Sequence, residues 1–306
     1  MNPSSATSSN KKYLFLEEPV EEWSKIKDGK GKTILEKFYN NQEKYSFSFQ
    51  MLAYISRLAD LKNAVKYHSS FDFKINNVAF SIEGNIGTGK STLIKNLQAH
   101  FNCEKFNKDT INNDYDVIMT ERSLYSDCNI FAQMLFDDGK IEDVEFAIYK
   151  KWFNEFMEDL PVMAFIYIRA DPRVSFERVE KRAREGEKSI PLNYIENCHR
   201  YHENWLMTDE KKHDLLVIDA NEDINENPDL LASWIKQIED FVESTHRRKN
   251  EEMLREANED LMEDNDPGLF GGNEFCSECG YNNICRCICG MNYCSYCNLD
   301  GLCDNC

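Results

Sequence analysis

Short apolar runs alternate along this chain with longer stretches whose apolar residues recur at helical spacing. The runs are YLFL (13–16), NVAFSI (77–82), DVIMT (116–120), VMAFIYI (162–168) and DLLVI (214–218), each readable as a strand buried on both faces. Between them, residues 31–67, 90–100, 122–158 and 171–207 carry helix-like spacing. Asn227-Pro228 opens a last amphipathic helix with Leu231, Trp234, Ile235, Ile238 and Phe241 on its inner side. Alternating strand and helix predicts an α/β fold, a parallel sheet covered on both sides.

The alternation ends near residue 245. EEMLREANEDLMEDNDPGLFGGNE (251–274) starts as an acidic, helix-compatible stretch and breaks at Asp266-Pro267-Gly268 and Gly271-Gly272. Nine of the twelve cysteines follow, from Cys276 to Cys306. The expected organisation is a flexible arm over 1–12, one main domain over 13–245, an acidic linker over 246–274 and a Cys-rich module over 275–306. No repeat at solenoid periods competes with this division.

Composition narrows the function classes. Hydrophobic residues are 42% of the 306, enough for a real core, and no run of about 18 apolar residues offers a membrane span. The opening MNPSSATSSNKK has neither the apolar core of a secretory signal nor the Arg-rich pattern of a transit peptide, so a soluble, cytoplasmic chain is expected. Thirty-six Lys and Arg against 54 Asp and Glu give a net charge of -18, which disfavours bulk electrostatic binding of nucleic acid.

The sharpest motif is Gly84-Asn85-Ile86-Gly87-Thr88-Gly89-Lys90-Ser91, with Thr92 following, placed between a strand and a helix as a phosphate-binding loop requires. Glycines let successive backbone N–H groups turn toward phosphate oxygens at a helix N-terminus. Lys90 adds a point charge for the outer phosphates, and the Ser91 hydroxyl can ligate magnesium. A nucleoside triphosphate such as ATP is the implied ligand. No Asn-Lys-x-Asp guanine motif marks a GTPase, and a motor ATPase would be larger or assemble into rings, so a small-molecule kinase fits better.

Three further segments accompany the loop. Glu18-Pro19-Val20 with Trp23 follows the first strand, Tyr45 to Gln50 (YSFSFQ) opens a helix running to Arg57, and Glu121-Arg122-Ser123 ends the DVIMT strand, followed by Tyr125, Ser126 and Asp127. Together with IEGNIGTGKST they resemble the deoxyribonucleoside kinase family, in its deoxycytidine and deoxyguanosine kinase branch, over about residues 13–242. The resemblance implies a three-layer P-loop kinase fold with a five-stranded parallel sheet, an ATP and Mg2+ requirement, a deoxyribonucleoside substrate, a role in nucleotide salvage and a homodimer.

It also implies roles. Glu18 is the general base for the sugar 5′-hydroxyl, Arg122 stabilises the transferring phosphoryl, and Glu121 joins Ser91 at magnesium. Gln50 has a donor and an acceptor in one planar amide, suited to a nucleobase edge, with Trp23, Phe47 and Phe49 as walls. Tyr39 and Glu187 match the residues that hold the 3′-hydroxyl. Ala53, Arg57 and Asp127 stand where the family separates deoxycytidine and deoxypurine kinases from thymidine-accepting relatives. Arg178, Arg182 and Arg184 match a lid over the triphosphate, with Arg178 and Arg182 four apart on one helix face. Asp223, in Asn221-Glu222-Asp223, matches the segment beside the donor base.

One feature departs from the family pattern. The P-loop strand comes first there, whereas here the Glu-Pro-Val and Phe-x-Phe-Gln block precedes it. This exchange of adjacent blocks is a non-circular permutation, feasible because every crossover in a parallel sheet leaves one edge and returns to the other. It alters helix packing at the new joints, and with it the dimer interface that the family forms.

The tail has spacing C-x2-C, x5, C-x-C-x-C, x4, C-x2-C, x5, C-x2-C, a zinc pattern. An odd cysteine count in a reducing compartment argues against a complete disulfide framework. The expected sites are Cys276, Cys279, Cys294 and Cys297 for one ion, and Cys287, Cys289, Cys303 and Cys306 for the other, with Cys285 competing with Cys287. Zn2+ would supply the folding energy of this small module, whose role is to bind another macromolecule or cap the main domain. Two rival functions remain: a nucleotide-holding scaffold that has lost turnover and recruits a partner through its tail, and a nucleoside monophosphate kinase.

Overall fold

The computed structural model describes residues 11–66, 78–101, 103, 115–157, 160, 163–182, 190–208, 214–224, 226–263, 284–286 and 292–294. The chain divides into two compact units, Met1–Glu251 and Glu252–Cys306. In the first, strands β1 (Tyr13–Leu16), β2 (Ala79–Glu83), β3 (Val117–Glu121), β4 (Met163–Arg169) and β5 (Leu215–Asp219) form one parallel sheet in the order β1-β3-β2-β4-β5. The five apolar runs are these five strands. β1 to β4 are almost wholly buried, whereas β5, at the sheet's edge, is half-buried rather than covered on both faces.

Among the described residues the α-helices are α1 (Val20–Lys25), α2 (Ile34–Asn40), α3 (Gln42–Lys66), α4 (Lys90–His100), α5 (Leu124–Ser126), α6 (Gln133–Asp137), α7 (Asp143–Met157), α8 (Pro172–Arg182), α9 (Leu192–His202) and α10 (Pro228–Glu263). Three of the stretches with helix-like spacing hold more than one helix, and in two of them the cause is visible. The first, 31–67, splits at Asn41 after a capping box in which Thr33 accepts from the Glu36 N–H and Glu36 accepts from the Thr33 N–H. In the second, 122–158, a π-helical segment Asp127–Ala132 joins α5 to α6, and Gly139 turns the chain with a positive φ of 67°.

Strand order dictates which face each crossover covers. β1 to β2 advances two positions and β2 to β3 steps back one, so right-handed connections must lie on opposite faces. Accordingly, Leu61 and Ala64 of α3 pack on Leu14, Leu16, Ala79 and Ile118. Leu93 and Leu97 of α4, with Trp234 and Ile238 of α10, pack on Phe15, Phe80, Ile82 and Met119. Each fully buried leucine here contributes about 1.5–3 kcal/mol. All five strands therefore present their C-terminal ends to one edge, where ligands bind in open α/β sheets.

α10 starts as read, with Pro228 in its first turn and the Asn227 side chain accepting from the Leu230 N–H at 3.2 Å. It then continues to Glu263, so the first part of the expected 246–274 linker is helix. In the second unit, β6 (Ile284–Arg286) pairs antiparallel with β7 (Asn292–Cys294), Ile284 opposite Cys294 and Arg286 opposite Asn292. Cys294 lies in β7; the other seven proposed zinc ligands, Cys276, Cys279, Cys287, Cys289, Cys297, Cys303 and Cys306, lie outside the described residues, as do Arg184 and Glu187. Among the described residues no helix is long and apolar enough to cross a membrane, and no cluster of metal-ligating side chains occurs.

Candidate active site

The phosphate loop connects the end of β2 to α4, and its shape depends on absent side chains. A Cβ on Gly84, whose φ is 148°, would lie 2.6 Å from the Ile168 carbonyl oxygen, and one on Gly87 (φ 84°) would run into the Ser175 carbonyl oxygen. Asn85 pins the loop from inside: its side-chain amide donates to the Ile195 carbonyl at 2.8 Å, and its Oδ1 accepts from the Ile86 N–H. Lys90 donates to the Asn85 carbonyl at 2.7 Å and is 5% exposed. Burial, followed by repulsion from Arg122, lowers its ammonium to about 7. Ser91 Oγ donates to Glu121 Oε1 at 2.8 Å, so a hydroxyl and a carboxylate meet at the helix N-terminus. That pair suits a hard divalent cation such as Mg2+, which keeps several waters and takes few protein oxygens.

Opposite the loop, side chains from three elements converge. Arg57 of α3 donates through Nη2 to Glu18 Oε1 at 2.6 Å, through Nη1 to the Glu121 carbonyl at 2.7 Å and through Nε to Asp127 Oδ1 at 3.2 Å. It is thus the hub of two carboxylates, a buried Asp127 and a half-buried Glu18. Arg122 adds its Nε at 3.6 Å from Glu18 Oε1, while its Nη1 is buried with no hydrogen-bond partner among the described residues. Burial alone would raise the Glu18 carboxyl, but attraction to Arg57, then Arg122 and Lys90, outweighs it and holds Glu18 below its ordinary value. For Asp127 burial wins over Arg57, and its carboxyl rises to about 6.

A cleft of about 190 Å³ joins the two sides, bounded by Lys90, Ser91 and Gly87 at one end and by Trp23, Phe49, Gln50 and Asp127 at the other. Glu18, Tyr39, Ala53, Arg57, Glu121, Arg122 and Arg182 also line it. Gln50 is 3% exposed and its side chain makes no hydrogen bond to another described residue, leaving its amide for whatever enters. Trp23 is oriented by a 2.9 Å hydrogen bond from its indole N–H to Ser56 Oγ and meets Phe49 edge-on at 5.4 Å. A second cleft of about 300 Å³ shares Gly87 and Arg182 with the first and is lined by Thr88, Gly89, Thr92, Arg178 and Asp223.

One expectation needs correction. Phe47 does not wall the cleft; it packs with Tyr54, Leu58 and Tyr149 on the far side of α3, since Phe47 and Phe49 sit two positions apart on a helix and face apart. Arg178 lines the second cleft beside the loop and donates to the Ala220 and Asn221 carbonyls at 2.7 and 3.2 Å, at the end of β5.

The sequence reading also missed Phe131 and Tyr194, which line the cleft. Arg122 lies over the Phe131 ring at 4.6 Å. The available signal was its place four residues beyond Asp127, on the same helical face; Tyr194 carried none.

A family model described as deoxynucleoside kinase matches residues 6–75 and 96–243, leaving out 76–95, which hold β2 and the phosphate loop. Among curated proteins, deoxycytidine kinase 2 of Gallus gallus is 36% identical over 143 residues, 43% of this chain and 54% of that one. Deoxycytidine kinase 1 of Xenopus laevis is 26% identical over 258 residues, 76% of this chain and 82% of that one. The mitochondrial thymidine kinase 2 of Homo sapiens is 34% identical over 113 residues, 36% and 43% of the two chains. The chain thus spans about half the length of the first of these and about four fifths of the second. With well over half its residues matched, on both sides of the phosphate loop, the chain belongs to the deoxynucleoside kinase family.

Proposed function

We propose that this protein transfers the γ-phosphoryl group of ATP, or another nucleoside triphosphate, to the 5′-hydroxyl of a deoxyribonucleoside, as a salvage kinase. The observation that carries this reading is the single cleft running from Lys90 and Ser91 to Glu18, Gln50 and Asp127. In it Glu18, ionised at neutral pH, takes the proton of the 5′-hydroxyl as that oxygen bonds to the γ-phosphorus and the bond to the β–γ bridging oxygen breaks. A weakly basic carboxylate suffices because a loose phosphoryl-transfer transition state calls for little proton abstraction until late. Lys90 and the open Nη1 of Arg122 take up charge on the transferring group. Magnesium, held by Ser91 and Glu121, supplies further charge neutralisation on the donor phosphates when bound. Arg178, Arg182 and, outside the described residues, Arg184 serve the triphosphate; Asp223 belongs to the donor-base end.

On the acceptor side, Gln50 reads the base edge between Trp23 and Phe49, with Phe131 as a further wall. Tyr39 and Glu187 hold the 3′-hydroxyl. Arg57 fixes Asp127 beside Ala53, which favours an exocyclic amino or carbonyl group and crowds a thymine methyl, so deoxycytidine or a deoxypurine is preferred to thymidine. Relatives carry both deoxycytidine and thymidine kinase names, and the preference rests on this charged pair. Replacing Glu18 by Gln is expected to lower kcat by about 10²-fold or more, the range for a positioned general base; unchanged turnover in a steady-state assay would remove Glu18 from that role.

Three further readings belong here. The block order is a non-circular permutation of the family's, supported by a family match that skips 76–95. The chain forms a homodimer, supported by Val144, Ile148 and Trp152, three exposed apolar residues spaced four apart on α7. The Cys-rich tail binds two Zn2+ ions and docks a macromolecular partner or caps the kinase; two equivalents of zinc per chain by elemental analysis would support it, and none would overturn it.

A further inference from the structure

One buried carboxylate at the site takes no part in that chemistry. Glu83, the last residue of β2, is 0% exposed. Its Oε1 accepts from Ser81 Oγ and Ser123 Oγ, both at 2.6 Å, and its Oε2 has no hydrogen-bond partner among the described residues. Distances of 2.6 Å mark charge-assisted O–H to carboxylate bonds, about twice as strong as neutral ones. Ser123 is fixed further, accepting at Oγ from the Ser126 N–H at 3.2 Å and donating its own N–H to Ser126 Oγ at 3.1 Å.

The residue between β3 and this clamp is Arg122. Its φ of 65° is the one positive φ of a non-glycine among the described residues, a conformation in which Cβ crowds the following carbonyl. It persists only where the surroundings over-determine it. Here they do so from both sides: the Arg122 N–H donates to the Ile82 carbonyl at 3.1 Å, and the next residue, Ser123, is held by the Glu83 carboxylate. Both anchors are neighbours on β2, the strand that leads into the phosphate loop. The left-handed backbone aims the guanidinium into the cleft over Phe131, where Nη1 is left without a partner.

We propose that Glu83 is a positioning residue: through Ser123 it locks Arg122 in the left-handed conformation that presents its guanidinium to the transferring phosphoryl group. The inference rests on the kinase reading above. Ser81 shares the same carboxylate oxygen but its hydroxyl makes no hydrogen bond to Arg122 or Ser123, and so serves as an internal control.

The test is a kinetic cycle on the full chain. Ser123→Ala is expected to lower kcat about 10- to 100-fold, the loss typical when a supporting group releases a reacting one by an ångström or so, with the ATP KM changed less than about threefold on the same grounds of transition-state-only contact. Ser123→Thr keeps the hydroxyl on an extended backbone (φ -122°, ψ 167°) that suits a branched side chain, and is expected to restore kcat. Glu83→Ala should match Ser123→Ala, Ser81→Ala should stay near wild type, and in an Arg122→Ala background Ser123→Ala should cost nothing more. If Glu83→Ala fails to fold, judged by its thermal melt, Ser123→Ala and its cycle with Arg122 still decide. Full kcat in Ser123→Ala, or equal losses with and without Arg122, would overturn the positioning role while leaving the kinase reading intact. A wild-type protein that turns over no nucleoside would overturn the kinase reading and this inference with it.

Discussion

The two ends of the cleft are built on different principles. The phosphate end is one contiguous stretch, 84–92, made largely of backbone: glycines at positive φ, an Asn85 whose side chain ties the loop to the Ile195 carbonyl, and a helix N-terminus. The nucleoside end is made of side chains from segments far apart in sequence, held by one guanidinium between two carboxylates, with Arg57 39 residues from Glu18 and 70 from Asp127. A backbone cradle tolerates change in most side chains but not added bulk at its glycines. A charge hub tolerates loss of its centre worst, because the buried Asp127 then loses its ion-pair partner.

The largest effect should come from breaking the hub. Arg57→Ala strands the buried Asp127 and leaves the half-buried Glu18 with Arg122 alone, and is expected to destabilise the fold by about 3–5 kcal/mol, read as a lower midpoint in denaturant. Double replacement with Glu18→Gln and Asp127→Asn should recover part of that loss. An Arg57→Ala protein as stable as wild type would mean that the hub is no more than a surface-like ion pair.

A smaller effect separates the two ends. Trp152→Glu puts a charge in the exposed α7 stripe and is expected to convert a dimer to a single chain by light scattering, leaving the ATP KM unchanged because α4 and the loop lie elsewhere. A wild-type protein already of one-chain mass would remove the dimer.

The smallest is a proton. Lys90 has its value lowered from 10.5 to about 7, so above about pH 7 the ligand-free protein holds it largely neutral, and a bound triphosphate restores the charge. Nucleotide binding at pH 8 should therefore take up protons, visible in calorimetry as a dependence of the binding heat on the buffer's ionisation enthalpy, and the uptake should vanish in Lys90→Met. No uptake in wild type would place Lys90 in its charged form before binding.

The same contrast explains what could be read from sequence. The phosphate loop was legible because its chemistry is contiguous and its context, β2 before and α4 after, follows from local periodicity. Glu18, Gln50 and Asp127 were legible only through the family resemblance, since nothing local shows that a Glu-Pro strand end and an Asp in an apolar helix share a guanidinium. Phe131 was lost in the apolar run NIFAQMLF, where an aromatic looks like core and a π-helical segment disturbs the 3.6-residue period. Phe47 was misplaced by the reverse error, a motif partner credited with a cleft that its helical phase denies it. Glu83 left no trace in sequence, because its clamp on Ser123 joins two strand ends that only the sheet brings together.

The most direct test of the central claim is a phosphoryl-transfer assay with ATP and magnesium against deoxycytidine, deoxyadenosine, deoxyguanosine, thymidine and deoxycytidine monophosphate, using the whole chain. The account predicts turnover of deoxycytidine or a deoxypurine nucleoside at a higher kcat/KM than thymidine, and none of the monophosphate. Turnover of the monophosphate alone, or nucleotide binding with no transfer to any acceptor, would contradict it.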